Sequence, residues 1–218
     1  MIIVTFNKPD FEYDVHSLLK EFFPKEDIQM YYREPANFSE NKNLACTSHL
    51  ITDDTEIDFG GASHRFEIRF IGGSDEAVEA KENEAHNTEA DVNKAAGEHE
   101  RIELLWSRGD EPTSIYSFCE TEGLNRKEKK NVLKQELYKM VSTGLGRELP
   151  WGTLSGIRPT KIAMKLLDEG ASDDEVFRYM KDVYLASDEK AQLSVDIAKR
   201  EKDLLDKVDY DNGYSLYI

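Results

Sequence analysis

The sequence predicts an α+β fold. A mixed or antiparallel sheet of about five strands carries at least one covering helix, and a helical subdomain follows. Three observations predict it. Short runs before residue 120 alternate apolar with polar residues, as half-buried strands do. From Leu124 onward the apolar spacing becomes helical. Two capping-box patterns, Asn125 with Glu128 and Ser172 with Glu175, mark where helices open.

In chain order, Ile2-Ile3-Val4-Thr5-Phe6 is rich in β-formers and predicts a first strand. Asp10 can cap a helix whose apolar positions are Phe11, Val15, Leu18, Leu19 and Phe22, with Pro24 ending it. Ile28 to Arg33 predicts a second strand, and Leu44 to Thr52 a third that runs into the acidic turn Asp53-Asp54. Ile57 and Phe59, then Gly60-Gly61, then Phe66, Ile68 and Phe70 alternating with Arg65, Glu67 and Arg69, predict a hairpin with one buried face. Ile102, Leu104 and Trp106 resume the sheet, and Gly109-Asp110-Glu111-Pro112 turns the chain into a strand from Ser114 to Cys119. Residues 1–123 thus make a sheet domain. Its stretch 73–100 breaks the pattern: residues 74–100 hold nine acidic groups against two lysines and no aromatic residue. So little apolar area cannot offset ordering entropy, and a flexible acidic insertion between two paired strands is expected.

Residues 124–213 make the helical subdomain. Val132, Leu133, Leu137, Met140 and Val141 form one apolar stripe, stopped by Gly144 and Gly146. A second helix runs from Pro159 to Gly170. Ser172 opens a third, with Val176, Tyr179, Met180 and Val183 inward, and Ser187 starts a fourth that runs toward Leu205. Asp209 to Gly213 reads as a turn, and residues 214–218 as a β-type segment.

The formal charge of −16 disfavours general binding to nucleic acid or to an anionic membrane. No apolar run approaches the ~20 residues that cross a bilayer. Two cysteines, Cys46 and Cys119, stand far apart in no metal-type spacing and suggest a reducing, cytoplasmic setting. Cys119 reads as a strand residue rather than a nucleophile, His64 shares the buried-face parity of its strand, and no histidine has ligand spacing, so no metal site is assigned. The charge is unevenly spread. Residues 1–123 give 11 − 27 = −16, residues 124–165 give 10 − 3 = +7, and residues 166–218 give 7 − 14 = −7. The lysines 127, 129, 130 and 134 of the basic block predict a solvated helix face.

The most informative stretch is Trp151-Gly152-Thr153-Leu154-Ser155-Gly156-Ile157-Arg158-Pro159-Thr160-Lys161. Its two glycines predict a tight loop. Pro159 suits the first position of a helix, which places Thr160 and Lys161 in a first turn whose N–H groups favour anions. Arg158 and Lys161, three apart, could reach one anionic group. Taken alone, these residues describe an anion site or a domain joint.

This stretch, together with Tyr184-Leu185, Asp188-Glu189-Lys190 and Ser215-Leu216-Tyr217-Ile218, resembles the region just ahead of the iron–sulfur motif in the HemZ-type coproporphyrinogen dehydrogenases. These are radical SAM (S-adenosylmethionine) enzymes related to oxygen-independent coproporphyrinogen III oxidase. The family run is Trp-Gly-x-Leu-Thr-Gly-Ile-Arg-Pro-Thr-Lys, and Ser155 stands here for the Thr between its Leu and Gly. The resemblance covers roughly residues 124–218. It implies an accessory N-terminal part, cut before the three-cysteine motif, with residues 214–218 as the first strand of a missing radical SAM barrel. The parent would convert coproporphyrinogen III to protoporphyrinogen IX with a [4Fe–4S] cluster and SAM; this part would hold no cofactor and be inactive alone. Its expected partners are the barrel of the same chain and a tetracarboxylate porphyrinogen. Trp151, Gly152, Gly156, Arg158, Pro159, Thr160 and Lys161 would contact one or the other, with no catalytic residue among them. An RNA-binding module and a plain protein-interaction module are the rival readings.

Overall fold

The computed structural model describes residues 1–8, 10–33, 48–51, 61–72, 99–109, 114–155 and 158–205. It is α+β. Six strands, β1 (Ile2–Phe6), β2 (Ile28–Arg33), β3 (Ser48–Ile51), β4 (His64–Ile71), β5 (Arg101–Arg108) and β6 (Ser114–Glu120), form one mixed sheet in the order β3-β2-β1-β4-β5-β6. The pairs β1–β2, β2–β3 and β1–β4 are parallel, whereas β4–β5 and β5–β6 are antiparallel. The helices are α1 (Glu12–Phe22), α2 (Arg126–Leu145), α3 (Pro159–Asp168), α4 (Asp173–Tyr184) and α5 (Asp188–Leu205).

The chain divides into two compact units, Met1–His16 with Lys25–Met140, and Ser17–Pro24 with Val141–Ile218. In the first, β1 is central and flanked on both sides by parallel neighbours, so Ile2, Ile3 and Val4 are all buried although they point to alternate faces. Register places Val4, Phe66 and Trp106 side by side on one face, with Phe6, Ile68 and Leu104 one step on. The Phe66 and Trp106 rings stack at 5.5 Å. The opposite face carries Arg65, Glu67, Arg69, Arg101 and Glu103, with ion pairs Arg69–Glu67 at 2.7 Å and Arg101–Glu103 at 2.9 Å.

Three expectations are adjusted here. The β4 strand has both edges taken, by β1 and β5, and its antiparallel partner lies across residues 72–100 instead of across Gly60-Gly61. Ile57 and Phe59 are outside the described residues, as are 73–98, 209–213 and 214–218. Asp10 does not cap α1: its carboxylate is 3.0 Å from the Arg126 guanidinium, while Phe11 takes the capping position with its carbonyl accepting from the Val15 N–H. The lysine face of α2 is also partly neutralised. Lys129 pairs with Glu100, and Lys130 lies 3.7 Å from Asp14. The basic block therefore fastens α2 to its own acidic surroundings.

In the second unit, Leu154, Ala163, Val176, Met180, Ala191, Val195 and Ala198 form a core between α3, α4 and α5. Alanines at 163, 191 and 198 are fully buried, which lets α5 approach its neighbours closely. Gly170, at φ +93, ends α3: the Gly170 N–H donates to the Leu167 carbonyl and the Ala171 N–H to that of Leu166.

Candidate functional site

The stretch from Trp151 is a loop built against the α4–α5 junction. Gly152 has φ +59, and a Cβ there would drive into the Tyr184 carbonyl oxygen and the carbonyl group of Leu185. Glycine is required twice over, by backbone conformation and by space. Thr153, next along, is buried; its N–H donates to the Tyr184 carbonyl at 2.7 Å and its hydroxyl to the same oxygen at 3.3 Å. From the other side, the Ser187 N–H donates to the Pro150 carbonyl at 3.0 Å. Leu185 turns the chain between the two helices with φ +55, and the Lys190 ammonium sits 5.7 Å from the half-buried Trp151 ring centre. Trp151-Gly152-Thr153, Tyr184-Leu185 and Lys190 are thus one packed structure, although some thirty residues separate them in sequence.

Pro159 is the first residue of α3, and Arg158 precedes it in extended conformation with no side-chain cap. The Lys161 N–H donates to the Arg158 carbonyl at 3.1 Å, so part of the first turn is already satisfied. Thr160 is turned inward and buried, which removes its hydroxyl from the candidate set for an external anion. Arg158 and Lys161 are both exposed, and neither forms an ion pair among the described residues. Two cations accordingly stand on the surface at the dipole-positive end of α3. Gly156 lies outside the described residues.

Cys119 and His64 fit structural roles. Burial, then Glu136, push the Cys119 thiol up to about 12, which disfavours a thiolate. His64 accepts at Nδ1 from the Trp106 indole N–H at 3.3 Å. Burial and the Arg108 guanidinium lower its pKa, partly opposed by Glu26. No three histidine, cysteine or acidic side chains converge on a metal-sized site among the described residues, and no described helix is long and apolar enough to cross a membrane. The resemblance set Tyr184-Leu185 beside this stretch, but sequence reasoning missed that their carbonyls form the other side of the clamp. Its only local signal is a non-glycine residue, Leu185, forced into the left-handed region.

No protein-family model matches the chain, and no solved structure matches it. Among curated proteins, the oxygen-independent coproporphyrinogen-III oxidase-like protein HemZ of Bacillus subtilis (strain 168) is 33% identical over 92 residues. That match takes in 42% of this chain and 18% of the relative, so the chain corresponds to under a fifth of the protein it resembles.

Proposed function

We propose that the chain is the N-terminal accessory part of a radical SAM enzyme of the oxygen-independent coproporphyrinogen III oxidase type. In this reading the clamped loop and the start of α3 fasten it to the catalytic barrel. The similarity to the HemZ-like protein carries the reading. The exposure of Arg158 and Lys161 supports it, because neither forms an ion pair among the described residues of the unit. A carboxylate is what two adjacent exposed cations suit. It would belong to the barrel's rim or, as the second reading, to a propionate of a tetracarboxylate porphyrinogen.

The residues present do not fit a cluster held by a three-cysteine motif. The chain has only Cys46 and Cys119, and the Cys119 thiol resists ionisation. The chain's own share is therefore positioning. An RNA-binding role is disfavoured because Arg126, Lys129 and Lys130 already face carboxylates of the same unit.

The test begins with the gene beyond Ile218. A downstream Cys-x-x-x-Cys-x-x-Cys run and reductive cleavage of SAM by the whole protein are expected; a stop codon after Ile218 sinks the reading. In the cluster-loaded whole enzyme, replacing Arg158 and Lys161 together by Ala should weaken domain docking by about tenfold while leaving turnover of the assembled enzyme intact. A raised KM with docking unchanged would select the substrate contact instead.

A further inference from the structure

The two ends of the sheet differ. At one end β3 has 4 residues; at the other β6 has 7, and among the described residues no strand pairs with its outer side. Outermost strands are commonly guarded by lysine, proline, a bulge or shortness. None of these guards β6. Ser114 to Cys119 holds no charge and no proline, and the strand pairs with β5 residue for residue. Ile115, Tyr116 and Phe118 are 41%, 55% and 48% exposed, three of the seven large apolar side chains exposed among the described residues. They form a patch, which marks an interaction surface more than scattered apolar residues do. The Tyr116 and Phe118 rings stand 6.3 Å apart, on the face that carries Glu103.

The backbone limits what can pair there. The Thr121 N–H donates to the Glu100 carbonyl at 2.8 Å, one step beyond the Arg101–Glu120 pair. Antiparallel bonding alternates, so Ile115, Ser117 and Cys119 spend their N–H and carbonyl groups on β5. Those of Ser114, Tyr116, Phe118 and Glu120 point outward. A second β6 meets this requirement when a two-fold axis passes through Ser117. Tyr116 then faces Phe118 of the second copy, Ile115 faces Cys119, and Ser114 faces Glu120. Aromatic meets aromatic on one face, and the strand's one carboxylate meets a hydroxyl instead of its own copy. Sliding by one residue sets outward groups against spent ones. Sliding by two sets Tyr116 against Glu120, or Phe118 against Ser114. On the other face the Ser117 hydroxyl donates to the Glu136 carboxylate of α2, and Lys139 lies 3.9 Å from that carboxylate. The axis therefore brings together no unaccompanied like charges at Ser117.

We propose that β6 pairs with β6 of a second copy of this chain, antiparallel about Ser117, and joins the two sheets into one. Two strands of 7 residues make a small interface, so the dimer is weak and forms as concentration rises. The charge of −16 on each copy opposes it, and added salt should strengthen it by screening that repulsion. The inference does not rest on the radical SAM reading, whose contact residues lie in the other unit.

The test is sedimentation equilibrium of the 218-residue chain from about 1 to 300 μM, at about 50 and 500 mM salt. A monomer–dimer equilibrium tightened by salt is expected. Phe118→Pro removes an outward N–H and an exposed ring but no bond to β5. Tyr116→Lys puts a charge on the pairing strand and keeps every backbone group, so it decides the matter if the proline disturbs β6. Each should weaken dimerisation about tenfold or more, with circular dichroism unchanged. With Cys46 and Cys119 replaced by serine, Ser117→Cys should form a disulfide between copies on mild oxidation, because a non-hydrogen-bonded pair stands within disulfide reach. A chain that stays monomeric throughout overturns the proposal and leaves this strand to a partner of different sequence. So does a dimer that salt dissociates, that both variants leave unchanged, or that Ser117→Cys fails to lock, since each belongs to another surface or register.

Discussion

Gly152 and His64 are the two residues whose environments make the sharpest demands. At Gly152 an alanine would meet the Tyr184 carbonyl while holding a left-handed backbone, so Gly152→Ala should cost about 3 kcal/mol. Urea unfolding followed by circular dichroism measures this, and an unchanged midpoint would contradict the clamp. His64 is held neutral by burial first and Arg108 second, below its ordinary pKa of 6.5. As pH falls through about 6.5 the unfolded chain takes up the proton first, so stability drops there until the folded-state pKa is passed. The melting temperature of the parent should therefore fall more steeply between pH 7.5 and 5.5 than that of His64→Gln. His99, raised by its hydrogen bond to Glu122, acts in the opposite sense but equally in both proteins.

At the scale of elements, α4 has the best-defined start. The Glu175 N–H donates to the Ser172 hydroxyl oxygen and the Glu175 carboxylate accepts the Ser172 N–H at 2.7 Å. Ser172→Ala should remove about 1 kcal/mol, read as a lowered denaturation midpoint. This cap was legible in the sequence because both partners sit within four residues of each other, and the same holds for Asn125 with Glu128. The strands β4 and β5 were legible too, since a period of two is a local property. Their neighbours were not. Nothing in the alternation of Phe66, Ile68 and Phe70 says that β1, sixty residues earlier, runs parallel beside them. Gly152 was legible as a loop glycine, but the carbonyls that exclude a side chain there come from the far end of α4.

For the whole molecule, charge decides more through its placement than through its total. The basic block from 124 to 165 could attract nucleic acid, yet its first helix turns three cations onto carboxylates of the same unit. Filter binding at about 150 mM salt should therefore retain no single-stranded RNA, since these three cations already face carboxylates and have few phosphate counterions to release. Retention that falls steeply with added salt would contradict this.

The central place of β1 bears on how the protein is made. Of the described strands it leaves the ribosome first, but its two neighbours are residues 28–32 and 64–68. Until the second of these has emerged, Ile2-Ile3-Val4-Thr5-Phe6 presents one open hydrogen-bonding edge flanked by apolar side chains. Such an edge recruits any extended chain within reach. Nascent chains arrested before about residue 64 should depend on chaperones to stay dispersed, whereas chains released after β4 should not.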